Sequence, residues 1–220
     1  MKVEKLTTNG QPHNWYERIT EECRHYPIFA MQIQKGEVIV DAGCNVGGFV
    51  NAWKDVLGDN IISIDASSYN VEEFKHNHPN NNVMHIALGA KDGEIVKLMK
   101  FTNGNGEETP SGNFGTIQFT NVNNDGWKAD EYEEVETISL ETILDATEEV
   151  ALLKVDIEGA EYDFLMGKDL SRIRYITMEL HNFLGDKKFE LIKWIEKTHK
   201  EIYTDGDGEE THFTKAWERK

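Results

Sequence analysis

Two short runs of mostly β-branched residues, Glu37-Val-Ile-Val-Asp41 and Ile61-Ile-Ser-Ile-Asp65, each end in an aspartate and lead through a turn into a helical pattern. Nearly continuous apolar runs of this length are what a parallel strand buried on both faces requires. The segments that follow, Phe49 to Leu57 closed by Gly58 and Tyr69 to Asn77 stopped by Pro79, predict helices. Asn82 to Leu88 predicts a third strand. A β-α-β-α-β alternation implies right-handed crossovers and a mostly parallel, twisted sheet with helices on both faces. The fold class expected is therefore α/β and Rossmann-like.

Upstream, Trp15, Tyr16, Ile19, Cys23 and Tyr26 recur at steps of three to four residues, which predicts an amphipathic helix ending at or just before Pro27. It is expected to lie over the carboxyl edge of the sheet, with Trp15 or Tyr16 near the site. Residues 1–36 read as a helical extension or lid and 37–220 as the Rossmann-like domain, within a length that suits one globular unit. Between Gly89 and Glu136 the helical pattern stops, and shorter strands are expected at Ile95 to Phe101, Gly115 to Thr120 and Glu134 to Leu140. The Gly- and Asn-rich stretch from Thr102 to Asn113 reads as a substrate loop or a plain connector. The alternation resumes with a strand over Ala151 to Asp156, a helix from Gly159 to Met166 and a strand over Tyr175 to Glu179. An amphipathic helix from Lys187 to His199 follows, with Phe189, Ile192, Trp194 and Ile195 as its expected core stripe. Glu201 to Trp217 predicts an antiparallel hairpin around Asp205-Gly-Asp-Gly208.

Charge excludes some partners. Forty Asp and Glu against 23 Lys and Arg give a net charge of −17, a field that repels RNA, DNA and acidic membrane surfaces. The basic residues are scattered, so neither nucleic acid nor a membrane is the expected partner, and nothing in the pattern sets an oligomeric state. Two cysteines, Cys23 and Cys44, cannot build a disulfide framework and show no CxxC spacing. A reducing, cytoplasmic setting is expected. The opening segment lacks the apolar core of a secretory leader, and no run approaches the roughly 18 apolar residues a membrane span needs.

Acidic groups cluster at the carboxyl ends of the expected strands: Asp41, Asp65, Asp156, Glu158 and Glu179. In an open α/β sheet ligands bind at that edge, where strand order reverses. The first turn, Asp41-Ala-Gly43-Cys-Asn45-Val-Gly47-Gly48, supplies glycines where the backbone must turn tightly and let a ligand approach. Asp65 ends the second strand where a Rossmann-type site places a carboxylate against ribose hydroxyls. A pyrophosphate-binding turn wants glycine at position 45, which is Asn, and Asp41 would add negative charge beside the phosphates. A zwitterion carrying an ammonium and a sulfonium, as S-adenosylmethionine does, fits that acid better than NAD. The simpler alternatives are glycines that serve close helix–strand packing, Asp65 as a helix cap, and Glu158 and Glu161 as acids favoured in a first helical turn.

Leu152-Leu-Lys154-Val-Asp156-Ile-Glu158-Gly159-Ala160-Glu161 resembles the L-K-[IV]-D-[IV]-E-G-A-E signature of FkbM-type methyltransferases and matches it at every position. Further resemblance runs through the glycine turn, Ala87-Leu-Gly89 with Asp92-Gly93, Thr137 to Leu144, and Glu179-Leu-His181. The resemblance implies a class I methyltransferase fold with an antiparallel C-terminal strand, S-adenosylmethionine as cofactor, and methyl transfer to a hydroxyl of a small molecule or glycan. Carried over residue by residue, it puts Asp41, Gly43 and Gly47 at the methionine moiety, Asp65 at the ribose and Ala87 near the adenine, with Asn45 and Ala66 as further cofactor-binding positions. A non-catalytic nucleoside-binding module of the same fold, or a methyltransferase acting on protein or peptide, would keep most of these residues.

Methyl transfer is an in-line displacement in which the protein aligns the acceptor oxygen and removes its proton. Asp156 and His181 are the candidates for that role, His181 because an imidazole near its ordinary pKa of about 6.5 takes a proton readily at neutral pH. Asp156 with Glu158 would be the pair to hold magnesium or calcium, but two carboxylates are too few to specify a site, and no metal is assigned. His76 and His78, flanking Asn77, read as exposed turn residues.

Overall fold

A computed structural model describes residues 14–102, 128–181, 184–206 and 212–220. The chain opens with α1 (Asn14–Cys23) and a 3-10 turn (Ile28–Ala30), then runs β1 (Ile39–Ala42), α2 (Gly48–Leu57), β2 (Ile61–Asp65), α3 (Ser68–Asn77) and β3 (Val83–His85). Next come β4 (Ala87–Leu88), β5 (Ile95–Thr102), β6 (Lys128–Ile138), α4 (Leu140–Asp145), β7 (Val150–Val155) and α5 (Glu161–Leu165). The chain closes with β8 (Ile173–His181), α6 (Lys187–Ile195), β9 (His199–Thr204) and β10 (His212–Arg219).

Seven strands form the main sheet in the order β3-β2-β1-β7-β8-β10-β9. The first five run parallel, and β10 inserts antiparallel between β8 and β9. The expected parallel core and the reversed C-terminal strand are both present. Every residue of β1 and of β7 is buried, as their apolar runs demand. Val40 and Ala42 pack into the layer that includes Leu140, Phe164 and Ile195, whereas Ile39 packs with Phe49, Leu57 and Phe74. Helices therefore cover both faces, with α2 and α3 on one side and α4, α5 and α6 on the other. Strand order reverses between β1 and β7, so the crevice lies beyond their carboxyl ends.

Several boundaries differ from the sequence reading. Asn82 to Leu88 is two strands: after Ile86 N donates to Asp65 O, the chain leaves the main sheet, and Ala87 and Leu88 pair with Thr137 and Ile138 in a separate β4-β6-β5 sheet. The strand expected over Glu134 to Leu140 stops at Ile138, because the Ser139 side chain accepts from Thr142 N and starts α4. The helix expected to reach His199 ends at Ile195, and His199 begins β9 with its ring against Ile173 O at 3.0 Å. On α6 the buried stripe is Lys188, Leu191 and Ile195, and Phe189 is half exposed. Phe189 is one residue from Lys188, about 100° around the helix, which turns it out of the stripe. The strand at 115–120, most of the loop at 102–113 and residues 207 and 208 of the hairpin turn lie outside the described residues.

Candidate active site

A cavity of about 630 Å³ opens at the carboxyl ends of β1, β2, β7 and β8. Gly43, Asn45, Asp65 and Ala66 line one side of it, and Asp156, Glu158, Glu179 and His181 the other. Ile19 and Cys23 of α1, and Tyr26 just after it, form part of the wall. Tyr16 instead anchors the helix, its hydroxyl 2.9 Å from His78 Nε2, which is also 2.9 Å from Gly47 O. His78 is consequently buried, contrary to the expectation of an exposed turn histidine, while His76 is exposed. The Trp15 side chain lies outside the described part of the structure.

The turn after β1 is built by backbone geometry. Gly43 has φ +80, and a Cβ there would lie 1.8 Å from Asp156 O, so no side chain fits between turn and strand end. Gly43 N and Cys44 N both donate to Ile64 O. Asn45 takes φ +48, a left-handed conformation that Asn tolerates better than most residues, and its side chain accepts from Val46 N at 2.7 Å. Its own N–H donates to Asp65 Oδ2 at 2.8 Å, while Asp65 Oδ1 accepts from Ser67 N at 2.9 Å and Asn70 Nδ2 at 3.1 Å. Asp65 thus faces the cavity with its carboxylate fixed by three donors. Burial still raises its pKa, against those hydrogen bonds.

Three candidates from the sequence lie off the cavity wall. Asp41 is fully buried, beside Lys154 in the β1–β7 register, with the Lys154 ammonium 3.3 Å from its Oδ1. Burial raises the Asp41 pKa, and Lys154 opposes that. Gly47, at φ +94, packs under the His78 ring, where a Cβ would meet Cδ2 at 2.4 Å. Ala87 packs with Leu98 and Val135, and Ile86 and Leu88 line the cavity in its place. Alternate strand residues face opposite ways, so an assignment one position off turns the side chain from the site.

Lys154, Tyr26 and Asn70 enter the site without having been singled out in the sequence. Lys154 carried a signal: a lysine inside a strand buried on both faces must find a countercharge. Tyr26, whose hydroxyl donates to Asp156 Oδ2 at 3.2 Å, looked like one more apolar position of a helix.

Opposite the glycine turn, His181 collects acids. Its Nε2 lies 3.3 Å from Glu158 Oε2 and 3.6 Å from Glu179 Oε1, and its Nδ1 3.7 Å from Glu161 Oε1. Burial alone would lower the His181 pKa, but Glu161, Glu158 and Asp156 raise it to about 9. The imidazole is therefore protonated at neutral pH, and the expectation that it titrates near its ordinary value is not met. Burial, reinforced by the charge of Asp156, pushes Glu158 up to about 7 and Glu179 up to about 8. Glu161 plays a different part: it is fully buried, and its carboxylate accepts from Ile157 N at 3.2 Å and Gly159 N at 2.9 Å. It locks the turn in which Glu158 adopts φ +52.

Among the described residues, Asp156, Glu179 and His181 each offer one potential ligand atom within 4.8 Å of the others, a different set from the Asp156 and Glu158 pair considered from sequence. Charge disfavours a divalent ion there. The Lys154 ammonium is 3.7 Å from Asp156 Oδ2, and the Tyr26 hydroxyl donates to the same oxygen. Such an ion favours oxygens free of competing cations.

A Rossmann-like sheet with a glycine turn at β1, a donor-fixed carboxylate at the end of β2 and a cavity beyond the switch point defines the class of S-adenosylmethionine-dependent methyltransferases. The chain belongs to the FkbM methyltransferase family: the model of the Methyltransferase FkbM domain matches residues 41–204. The family's cofactor is S-adenosylmethionine. The residues fit it: Asp65 presents a carboxylate to the cavity, the absent Gly43 side chain leaves the turn close to it, and Ile86 and Leu88 offer an apolar wall.

The chain also resembles the sterol 24-C-methyltransferase of Yarrowia lipolytica, with 33% identity over 61 residues that span 28% of this chain and 16% of that protein. Among solved structures it resembles a provisionally assigned rRNA-methylase from Clostridium thermocellum, with a TM-score of 0.50, 10% identity, and coverage of 92% of this chain and 94% of that one. Aeropyrum pernix fibrillarin with bound S-adenosyl-L-methionine gives a TM-score of 0.48 at 10% identity, covering 93% of this chain and 76% of that one.

Proposed function

We propose that this protein methylates a hydroxyl group of a small molecule or sugar. The observation that carries this reading is the join of two half-sites in one cavity, the Gly43–Asn45–Asp65 side and the Asp156–Glu158–Glu179–His181 side. When bound, S-adenosylmethionine supplies a methyl group already activated for displacement by its sulfonium. Asp65 accepts the ribose hydroxyls, and the backbone around Gly43 and Asn45 holds the methionine end. Asp156 accepts a hydrogen bond from a second N–H or O–H of the acceptor and so orients the hydroxyl that is to be methylated. Glu158, pushed up to about 7, takes the hydroxyl proton as the oxygen gains its methyl group and becomes a neutral carboxylic acid, and the His181 imidazolium, 3.3 Å away, holds the carboxylate in place for that transfer. His181 acts here as a fixed cation, not as the base.

An acidic cavity in a chain of net charge −17 favours a neutral or cationic acceptor over a polyanion. The contribution of Ile19, Cys23 and Tyr26 to the cavity wall supports the reading of residues 1–36 as a cover for the site. Two free cysteines are consistent with a reducing, cytoplasmic setting. The test is methyl transfer from labelled S-adenosylmethionine to separate panels of hydroxylated metabolites, free sugars, peptides and RNA. Label in the first two panels, absent with Glu158→Gln, is expected. Label only in RNA or only in peptide would overturn the proposal.

A further inference from the structure

We infer that Lys154 is a positioning residue that ties the cofactor turn to the carboxylate facing the acceptor. Its side chain is 2% exposed, and its ammonium lies 2.7 Å from Gly43 O, 3.3 Å from Asp41 Oδ1 and 3.7 Å from Asp156 Oδ2. These three groups belong to different parts of the site. Gly43 O is the backbone of the cofactor turn, Asp156 is on the acceptor side, and Asp41 is buried beneath both.

The strand register produces this meeting. Asp41 stands opposite Lys154 and Ala42 opposite Val155, so the residues just past the two strand ends, Gly43 and Asp156, meet next. They touch through backbone, as the 1.8 Å approach of a Cβ at Gly43 to Asp156 O requires. An ammonium with three donors, reaching up from between the strands, fixes the Gly43 peptide on one side and Asp156 Oδ2 on the other. The Tyr26 hydroxyl also donates to that Oδ2, and the Tyr26 ring lies 5.6 Å from the ammonium. Both restraints act on Oδ2, so Oδ1 is the oxygen Asp156 can turn to an acceptor.

Asp41 supplies the countercharge. Neither of its oxygens has a hydrogen-bond partner of good geometry, and a carboxylate left in that state is costly unless a cation stands beside it. A lysine whose only work was to neutralise Asp41 would be replaceable together with it, since a buried ion pair exchanged for a neutral isostere often leaves stability unchanged. A lysine that sets the turn would not be.

The experiment measures thermal stability and calorimetric affinity for S-adenosylhomocysteine in wild type, Lys154→Met and the double variant Asp41→Asn/Lys154→Met. Lys154→Met is expected to lose stability, and the double variant to regain most of it. The double variant should still bind S-adenosylhomocysteine at least about tenfold more weakly than wild type. Wild-type affinity in the double variant would overturn the inference and leave Lys154 as a countercharge. Should the double variant not fold, the Lys154 ammonium resonance of wild-type protein carrying isotope-labelled lysine decides: it should shift on saturation with S-adenosylhomocysteine, and an unmoved resonance would count against the proposal. The role assigned to Asp156 rests on the proposed acceptor site, but neither readout needs an acceptor. Failure to find a methylated hydroxyl and failure of the lysine tie are therefore separate results.

Discussion

Glu158 Oε2 lies 3.3 Å from His181 Nε2, and both groups hold protons more tightly than they would in water. For Glu158 the main cause is burial, followed by the nearby charge of Asp156. For His181 burial acts the other way and is overcome by Glu161, Glu158 and Asp156. The result is a carboxyl that titrates at about 7 beside an imidazolium that titrates at about 9. A proton can arrive on Glu158 near neutral pH while His181 keeps its own, which gives the pair an acid–base sense that neither residue type alone would suggest.

Stability should fall as pH rises. Glu158, Glu179 and His181 all have folded pKa values above their ordinary ones of 4.5 and 6.5, reaching about 7, about 8 and about 9. A group raised in this way contributes stability that is fully present below its unfolded pKa and is lost as pH climbs through its folded value. Melting temperature is therefore expected to drop between pH 6 and 9, by on the order of 5 °C. Differential scanning calorimetry checks this, and Glu158→Gln should flatten the slope. A melting temperature that holds steady or rises over that interval would refute this arrangement of charges.

The same titration should govern turnover. Once an acceptor is found, kcat is expected to rise with pH along a limb centred near 7, the value to which Glu158 is pushed. Glu158→Gln should lower kcat by about 10²-fold or more and abolish that limb. His181→Gln should lower kcat but keep the limb, displaced upward because the cation beside Glu158 is gone. If His181→Gln instead removes the limb and Glu158→Gln leaves it, the imidazole is the base.

Asp65→Asn separates the cofactor role of that carboxylate from its structural one. Asn70, Ser67 and Asn45 all donate to Asp65, and an amide keeps one acceptor oxygen for them. Binding of S-adenosylhomocysteine should weaken at least about tenfold, or 1.4 kcal/mol, with only a modest loss of melting temperature. Unchanged affinity in calorimetric titration would remove Asp65 from the ribose.

Much of the scaffold was legible because local pattern and global position agree there. Ile61 to Asp65 reads as a strand and is one, and Gly58 closes α2 at φ +89 as a terminal glycine should. Legibility failed where a decision depended on distant residues or on a phase of one position. Ala87 and Phe189 are each one residue from the buried or lining position, which periodicity cannot fix once strand and helix ends are uncertain. Asp41 was read toward the ligand because the sequence does not say that Lys154, more than a hundred residues on, is its neighbour. The His181 proton is likewise held by acids of the turn after β7 and of α5, 20 or more residues earlier in the chain. Linear order hides such charge partners, although a lysine inside Leu-Leu-Lys-Val announced that one existed.

Two glycines with similar backbone angles give a contrasting pair of variants. Gly36 has φ +94 with nothing within 4 Å of the place a methyl would take, whereas Gly43 has φ +80 and would drive a methyl into Asp156 O at 1.8 Å. Gly36→Ala bears only the conformational penalty of a positive φ, about 1–2 kcal/mol. Gly43→Ala bears that penalty and must also part the turn from the end of β7, because the obstructing atom is backbone and cannot swing aside. The expectation from chemical denaturation is a loss about twice as large or greater for Gly43→Ala, together with loss of S-adenosylhomocysteine binding, while Gly36→Ala binds normally. Equal losses would mean that the turn relaxes away from Asp156 without strain, and that the close approach is not what holds the cofactor side of the cavity in register with the acceptor side.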